Sequence, residues 1–155
     1  MLVGAALGSK IQNFWALLFI GLALHYALDT LPHWEYSVND MRVITTRRFR
    51  ALILSALIDL AIGIIILWQL GQKIHFSYYM LWGAFISIVP DGLTFLQVLL
   101  RLAFGHESKI LGKILNFHHA AHLSNAYILK NKKSPLWGIA AELLVIALSF
   151  FILLR

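Results

Sequence analysis

Apolar residues fall in four long runs along this chain, at Ile11–Leu31, Ala51–Leu70, Tyr78–Leu100 and Leu136–Leu154. At 1.5 Å of rise per residue, a run of this length crosses about 30 Å of hydrocarbon as a single helix. The stretch between the third and fourth runs has a different pattern. In "SKILGKILNFHHAAHLSNAYIL" the apolar residues Ile110, Leu111, Ile114, Leu115 and Phe117 recur at helical spacing and are interrupted by lysines. This predicts an amphipathic helix over about 108–129, lying on the membrane surface or tucked into it. No repeat, linker or low-complexity tract divides the chain. The expected fold is all-α and integral to the membrane: one domain over 1–155, a four-helix transmembrane bundle plus the amphipathic helix. The opening "MLVGAALG" is too short to span. It either lies outside the membrane or dips in as a half-helix.

Composition supports the membrane class. The sequence is 60% hydrophobic and 13% charged, with a mean hydropathy of +0.78, too apolar for the surface of a soluble domain of this size. The absence of cysteine excludes disulfides and thiolate metal sites. The net charge of +6 reads as topology, because no basic run is interleaved with aromatics in the manner of a nucleic-acid surface. Of the 13 cationic residues, Arg42, Arg47, Arg48 and Arg50 fall in the first connection. Arg101, Lys109, Lys113, Lys130, Lys132 and Lys133 fall in the third. Four spans place these two connections on one side. The positive-inside rule makes that side cytoplasmic and puts both termini outside.

The ionisable residues inside the runs carry the chemistry. With that topology, His25 and Asp29 near the end of the first span, Asp59 in the second, Asp91 in the third and Glu142 in the fourth lie roughly 9–15 Å below the cytoplasmic boundary. An acid at such depth costs about 2.5–3.5 kcal/mol even on the lenient insertion scale. Gathered inward around a cation, the acids would offset that cost, and no Lys or Arg lies at the same depth. His25 and Asp29 are four apart and share a helix face. Asp91 stands in "VPDG", a sequence that loosens a helix in mid-span. In "FHHAAH", His118 and His122 are four apart and can present two imidazoles to one ion. His33 follows Pro32 and is free to turn back toward the site or to face the headgroup region. The candidate ligands are therefore His25, Asp29, His33, Asp59, Asp91, His118 and His122. Asp91 and Glu142 are the candidate ligand-or-base carboxylates.

Structural alternatives remain for several of these residues. Asp59 can stay protonated or bond a polar neighbour across a helix contact. Glu142 can favour its helix N-terminus or reach the headgroups. His118, His119 and His122 can form an interfacial polar face without a metal.

"HYALDTLPHWEY", followed by "VPDG" and "FHHAAH", resembles the small prokaryotic membrane-bound metal-dependent hydrolases. The H-x-x-x-D…P-H pattern is also similar to the zinc-dependent phospholipase C and P1-type nuclease group. That likeness implies His25 and Asp29 as metal ligands, and His33 as a third ligand or a neighbour. "DTLPH" is one residue tighter than the spacing common in the soluble enzymes. The membrane family's histidine ahead of a "GAALG"-like stretch has no counterpart in "MLVGAALG". The resemblance further implies a multi-pass protein of the prokaryotic cytoplasmic (inner) membrane.

Together these features lead to the expectation of a membrane-embedded hydrolase using one or two divalent ions, zinc foremost. It would act at the cytoplasmic-side interface on an ester or phosphoester of a lipid-like substrate such as a phospholipid or polyprenyl phosphate. The alternative is a non-catalytic metal- or proton-binding protein serving transport, sensing or a complex. The apolar outer halves of spans two to four ("IGIIILW", "YYMLWGAFIS", "ALSFFILL") disfavour a through-path.

Overall fold

A computed structural model describes residues 1–31, 45–132 and 136–155, with side chains in the 109–132 helix described through Ala121. Seven helices and no strands occur among the described residues: α1 (Leu2–Lys10), α2 (Phe14–Asp29), α3 (Thr46–Gly71), α4 (Tyr78–Ile86), α5 (Val89–Phe104), α6 (Lys109–Lys132) and α7 (Leu136–Leu153). Local sequence sets the helix ends. The Asn13 side chain accepts from the Ala16 N–H at 3.0 Å and starts α2. Thr45 does the same for α3 through the Arg48 N–H. Gly105, at φ 64°, closes α5 in the left-handed conformation: its own N–H donates to Arg101 and the His106 N–H donates to Leu100.

The spans depart from four uninterrupted rods. α3 and α7 are long and apolar enough to cross a membrane. The third run breaks at Ser87–Ile88 and bends by 47° between α4 and α5, the form of a broken span or of a re-entrant loop. Pro90 causes the break, because it has no N–H to continue the ladder and its ring opposes the preceding turn. The first run yields only the 16 residues of α2, about 24 Å of helix, because Gln12 and Asn13 lie in the connection before it. "MLVGAALG" forms its own helix, α1, and packs into the fold.

Contacts along α4 set the arrangement. A Cβ at Gly4 would overlap the Gly83 carbonyl, one at Gly83 would overlap the Gly4 carbonyl, and one at Gly8 would overlap the Tyr79 carbonyl. Backbone therefore meets backbone, the close approach that small residues four apart permit, and α1 runs antiparallel to α4. α2 runs parallel to α4, with Phe14 edge-on to Trp82 at 5.3 Å, Gly21 beneath Ile86 and His25 at Ser87. α3 lies antiparallel to the bent pair. Phe49 near its start packs with Val98 of α5, and Leu67 and Leu70 near its end join the buried cluster of Ala5, Ala6, Met80, Ala84 and Leu153. α6 turns back along α5 and also reaches α2. Its buried residues, among the described side chains, are Leu115 and His118.

Candidate metal centre

The break between α4 and α5 organises the site. Ser87 caps α4, and the last carbonyls of a helix need partners from outside it. The Ser87 carbonyl takes the Nδ1–H of His25 at 2.9 Å. A carbonyl only accepts, so Nδ1 carries the proton, and in the neutral ring Nε2 is left as a lone pair. This is the outer contact that commonly orients a metal-binding imidazole.

His25 Nε2 faces more lone pairs. Asp29 Oδ2 lies 3.2 Å away and Asp91 Oδ1 lies 3.9 Å away. Asp91 Oδ1 in turn lies 3.4 Å from His118 Nε2. The His25–Asp29 contact has ion-pair distance without hydrogen-bond direction, and Nε2 has no hydrogen-bond partner among the described residues. His25 and His118 side chains are each 8% exposed, whereas Asp91 is 51% exposed. The ligand atoms of His25, Asp91 and His118 all lie within 4.8 Å of one another, a group that could hold a metal ion. Tetrahedral zinc with bonds of about 2.0–2.1 Å places its ligand atoms roughly 3.3 Å apart. The 3.4 and 3.9 Å separations, both to Asp91, approach that value, and rotation of the half-exposed Asp91 side chain can shorten them.

Aromatic packing fixes the rings. Tyr26 stands edge-on to His25 at 5.2 Å and to Phe117 at 4.7 Å. It thereby wedges α2 against α6 beside His118.

The sequence candidates separate into three groups. His25, Asp91 and His118 come together from three helices, with Asp29 beside them. Asp59 and Glu142 stand apart from this cluster. Asp59 is exposed in the middle of α3, whose buried residues, Phe49, Leu67 and Leu70, lie near its ends. Glu142 is half-buried on α7, a helix that packs on α1. The expected single layer of four acids is thus reduced to the two carboxylates on α2 and α5. His33 and the His122 side chain lie outside the described residues. The sequence reading missed the Ser87 carbonyl, although "VPDG" signalled a helix break and hence a freed carbonyl just upstream. It also missed Tyr26, for which no sequence signal existed.

A cavity of about 180 Å³ adjoins the cluster between α1, α2 and the break, and His25, Asp29 and Asp91 contribute polar groups to its lining. Comparison with protein-family models, curated proteins and solved structures finds no match.

Proposed function

We propose that this chain is a membrane-embedded, metal-dependent hydrolase whose ion is held by His25, Asp91 and His118. The observation that carries this reading is the placement of His25 Nε2, oriented by the Ser87 contact and facing a carboxylate that a second imidazole also approaches. Two imidazoles and a carboxylate are a donor set suited to zinc and its neighbours, and sites of three protein ligands with an open position are the catalytic kind. When bound, such an ion polarises an ester or phosphoryl oxygen and lowers the pKa of a water. His25 and His118, locked by packing, hold position. Asp91, half-exposed, leaves the cluster open to the cavity. Asp29, at 3.2 Å from His25, is the nearby carboxylate that serves as general base or as a further ligand. The resemblance of "HYALDTLPH", "VPDG" and "FHHAAH" to the membrane-bound metal-dependent hydrolases agrees with this assignment.

The proposed topology puts the cationic start of α3 and the start of α6, with Lys109 and Lys113, on the cytoplasmic face of a prokaryotic inner membrane, with the substrate an ester or phosphoester at that interface. The test is reconstitution with zinc, manganese or cobalt, followed by head-group release from phospholipid or polyprenyl phosphate in vesicles. Turnover that needs the metal and is lost in Asp91→Asn supports the reading. Bound metal without turnover on either lipid class would replace it with a non-catalytic metal protein.

A further inference from the structure

The cavity beside the cluster has a mixed lining. His25, Asp29 and Asp91 share it with apolar walls from Val3 and Leu7 of α1, Leu24 and Leu28 of α2, and Ile88 at the break. Resting on the metallohydrolase reading, we infer that these walls form a chain subsite. It takes the first carbons of one alkyl or acyl chain whose oxygen-anion head lies at His25, Asp91 and His118.

Three observations carry the assignment. First, five apolar side chains adjoin an imidazole and two carboxylates in one cavity, a mixed lining that an amphiphilic ligand matches. Second, the volume of about 180 Å³ is below the roughly 300–1,000 Å³ of sites that engulf a whole small ligand. Only the head end of a longer molecule fits, and the remainder must continue outside. Third, all five wall residues are half-buried, on a molecule whose outer faces carry many large exposed apolar side chains. A chain that leaves the cavity therefore meets an outer surface rich in apolar side chains. A free, water-soluble phosphate would use the polar groups alone.

The probe is cobalt(II)-loaded protein in neutral-detergent micelles, titrated with inorganic phosphate or with decyl phosphate while the visible cobalt spectrum is followed. Leu7→Trp fills the cavity from α1, which carries no metal ligand. Leu7→Ala enlarges it, and serves if the tryptophan variant does not fold. Both variants share the micelle with the wild type, so partitioning of decyl phosphate cancels. The expected result is that decyl phosphate perturbs the spectrum at far lower concentration than phosphate. Leu7→Trp weakens decyl phosphate by about tenfold, what roughly two buried methylenes are worth, and leaves phosphate unchanged. Leu7→Ala shifts the preference toward longer or branched chains. A cobalt spectrum that answers equally to both probes, or identically in wild type and both variants, overturns the chain subsite while the metal site stands. Failure to form a cobalt spectrum in the wild type overturns the metal reading, and the subsite with it.

Discussion

His25 Nδ1 lies 2.9 Å from the carbonyl oxygen of Ser87, across 62 positions of sequence. One contact thereby ties the last turns of α2 to the break between α4 and α5 and fixes which ring nitrogen faces the cluster. The two functions of this ring are separable. In His25→Asn the amide N–H can still reach Ser87, while the Nε2 lone pair is gone. That variant should lose bound metal yet keep most of its metal-free thermal stability. His25→Ala should lose the metal and, in addition, about 0.5–1.5 kcal/mol for the buried hydrogen bond. Elemental analysis and thermal unfolding in detergent, each run on both variants, check the separation. Equal destabilisation by both would show that the Ser87 contact contributes nothing.

Metal retention should depend on pH. Imidazoles ligate only when neutral, so protons compete with the ion for each ring. Two histidine ligands mean that protons compete twice. Metal-linked stability should therefore be lost on acidification. Thermal unfolding with and without a chelator across a pH series is the measurement. The two curves should converge at the acid end and separate at the alkaline end. A gap that widens on acidification is the contrary outcome.

Metal removal should loosen α6. In its described part the buried residues are Leu115 and His118, a small anchorage for a helix of 24 residues. His118 meets α2 and α5 at the proposed ion, so the ion would act as a clamp. The chain has no cysteine, which makes a single Ile114→Cys reporter clean. Its maleimide labelling should accelerate when metal is chelated, and in a His118→Ala background it should be fast whether or not a chelator is present. Labelling that is indifferent to metal in the wild-type background argues that α6 is held by packing alone.

The glycines give a contrast in stability. Gly83→Ala drives a methyl group into the Gly4 carbonyl, and rigid backbone on both sides leaves no side chain to move aside. A loss of about 1–3 kcal/mol, or more, is expected. At Gly92 and Gly112 a Cβ meets nothing within 4 Å, and both are helical. Alanine there should stabilise by roughly 0.5–1 kcal/mol through reduced backbone freedom. Denaturation midpoints of the three variants in one detergent decide the order.

Much of this was legible in the sequence because hydropathy and spacing are local properties. The apolar runs marked α2, α3, α7 and the broken α4–α5 pair, and the period of Ile110, Leu111, Ile114 and Leu115 marked α6. His25, Asp91 and His118 stood out as costly residues in apolar surroundings. What could not be read was direction. Depth along a helix follows from counting residues, but the side a residue faces depends on partners that the count does not include. Asp59 shows this most clearly: its depth suited a common layer, yet the middle of α3 contributes none of that helix's buried residues. The break at Ser87 was implied by Pro90, but not that the freed carbonyl would meet His25. For α1 the sequence offered a half-helix as one of two alternatives, but its packing was not legible, because its value lies in what it lacks. Gly4 and Gly8 carry no apolar signal, and only the facing Gly83 gives them purpose.

The most direct test of the metal centre is elemental mass spectrometry of the purified protein, wild type beside His25→Ala, Asp91→Ala and His118→Ala, each after reconstitution with divalent ions. Near-stoichiometric zinc, manganese or iron in the wild type, lost in all three variants and retained in Asp59→Asn and Glu142→Gln, is the expected result. A wild type that holds no metal under any of these conditions, or variants that hold as much as the wild type, would contradict it.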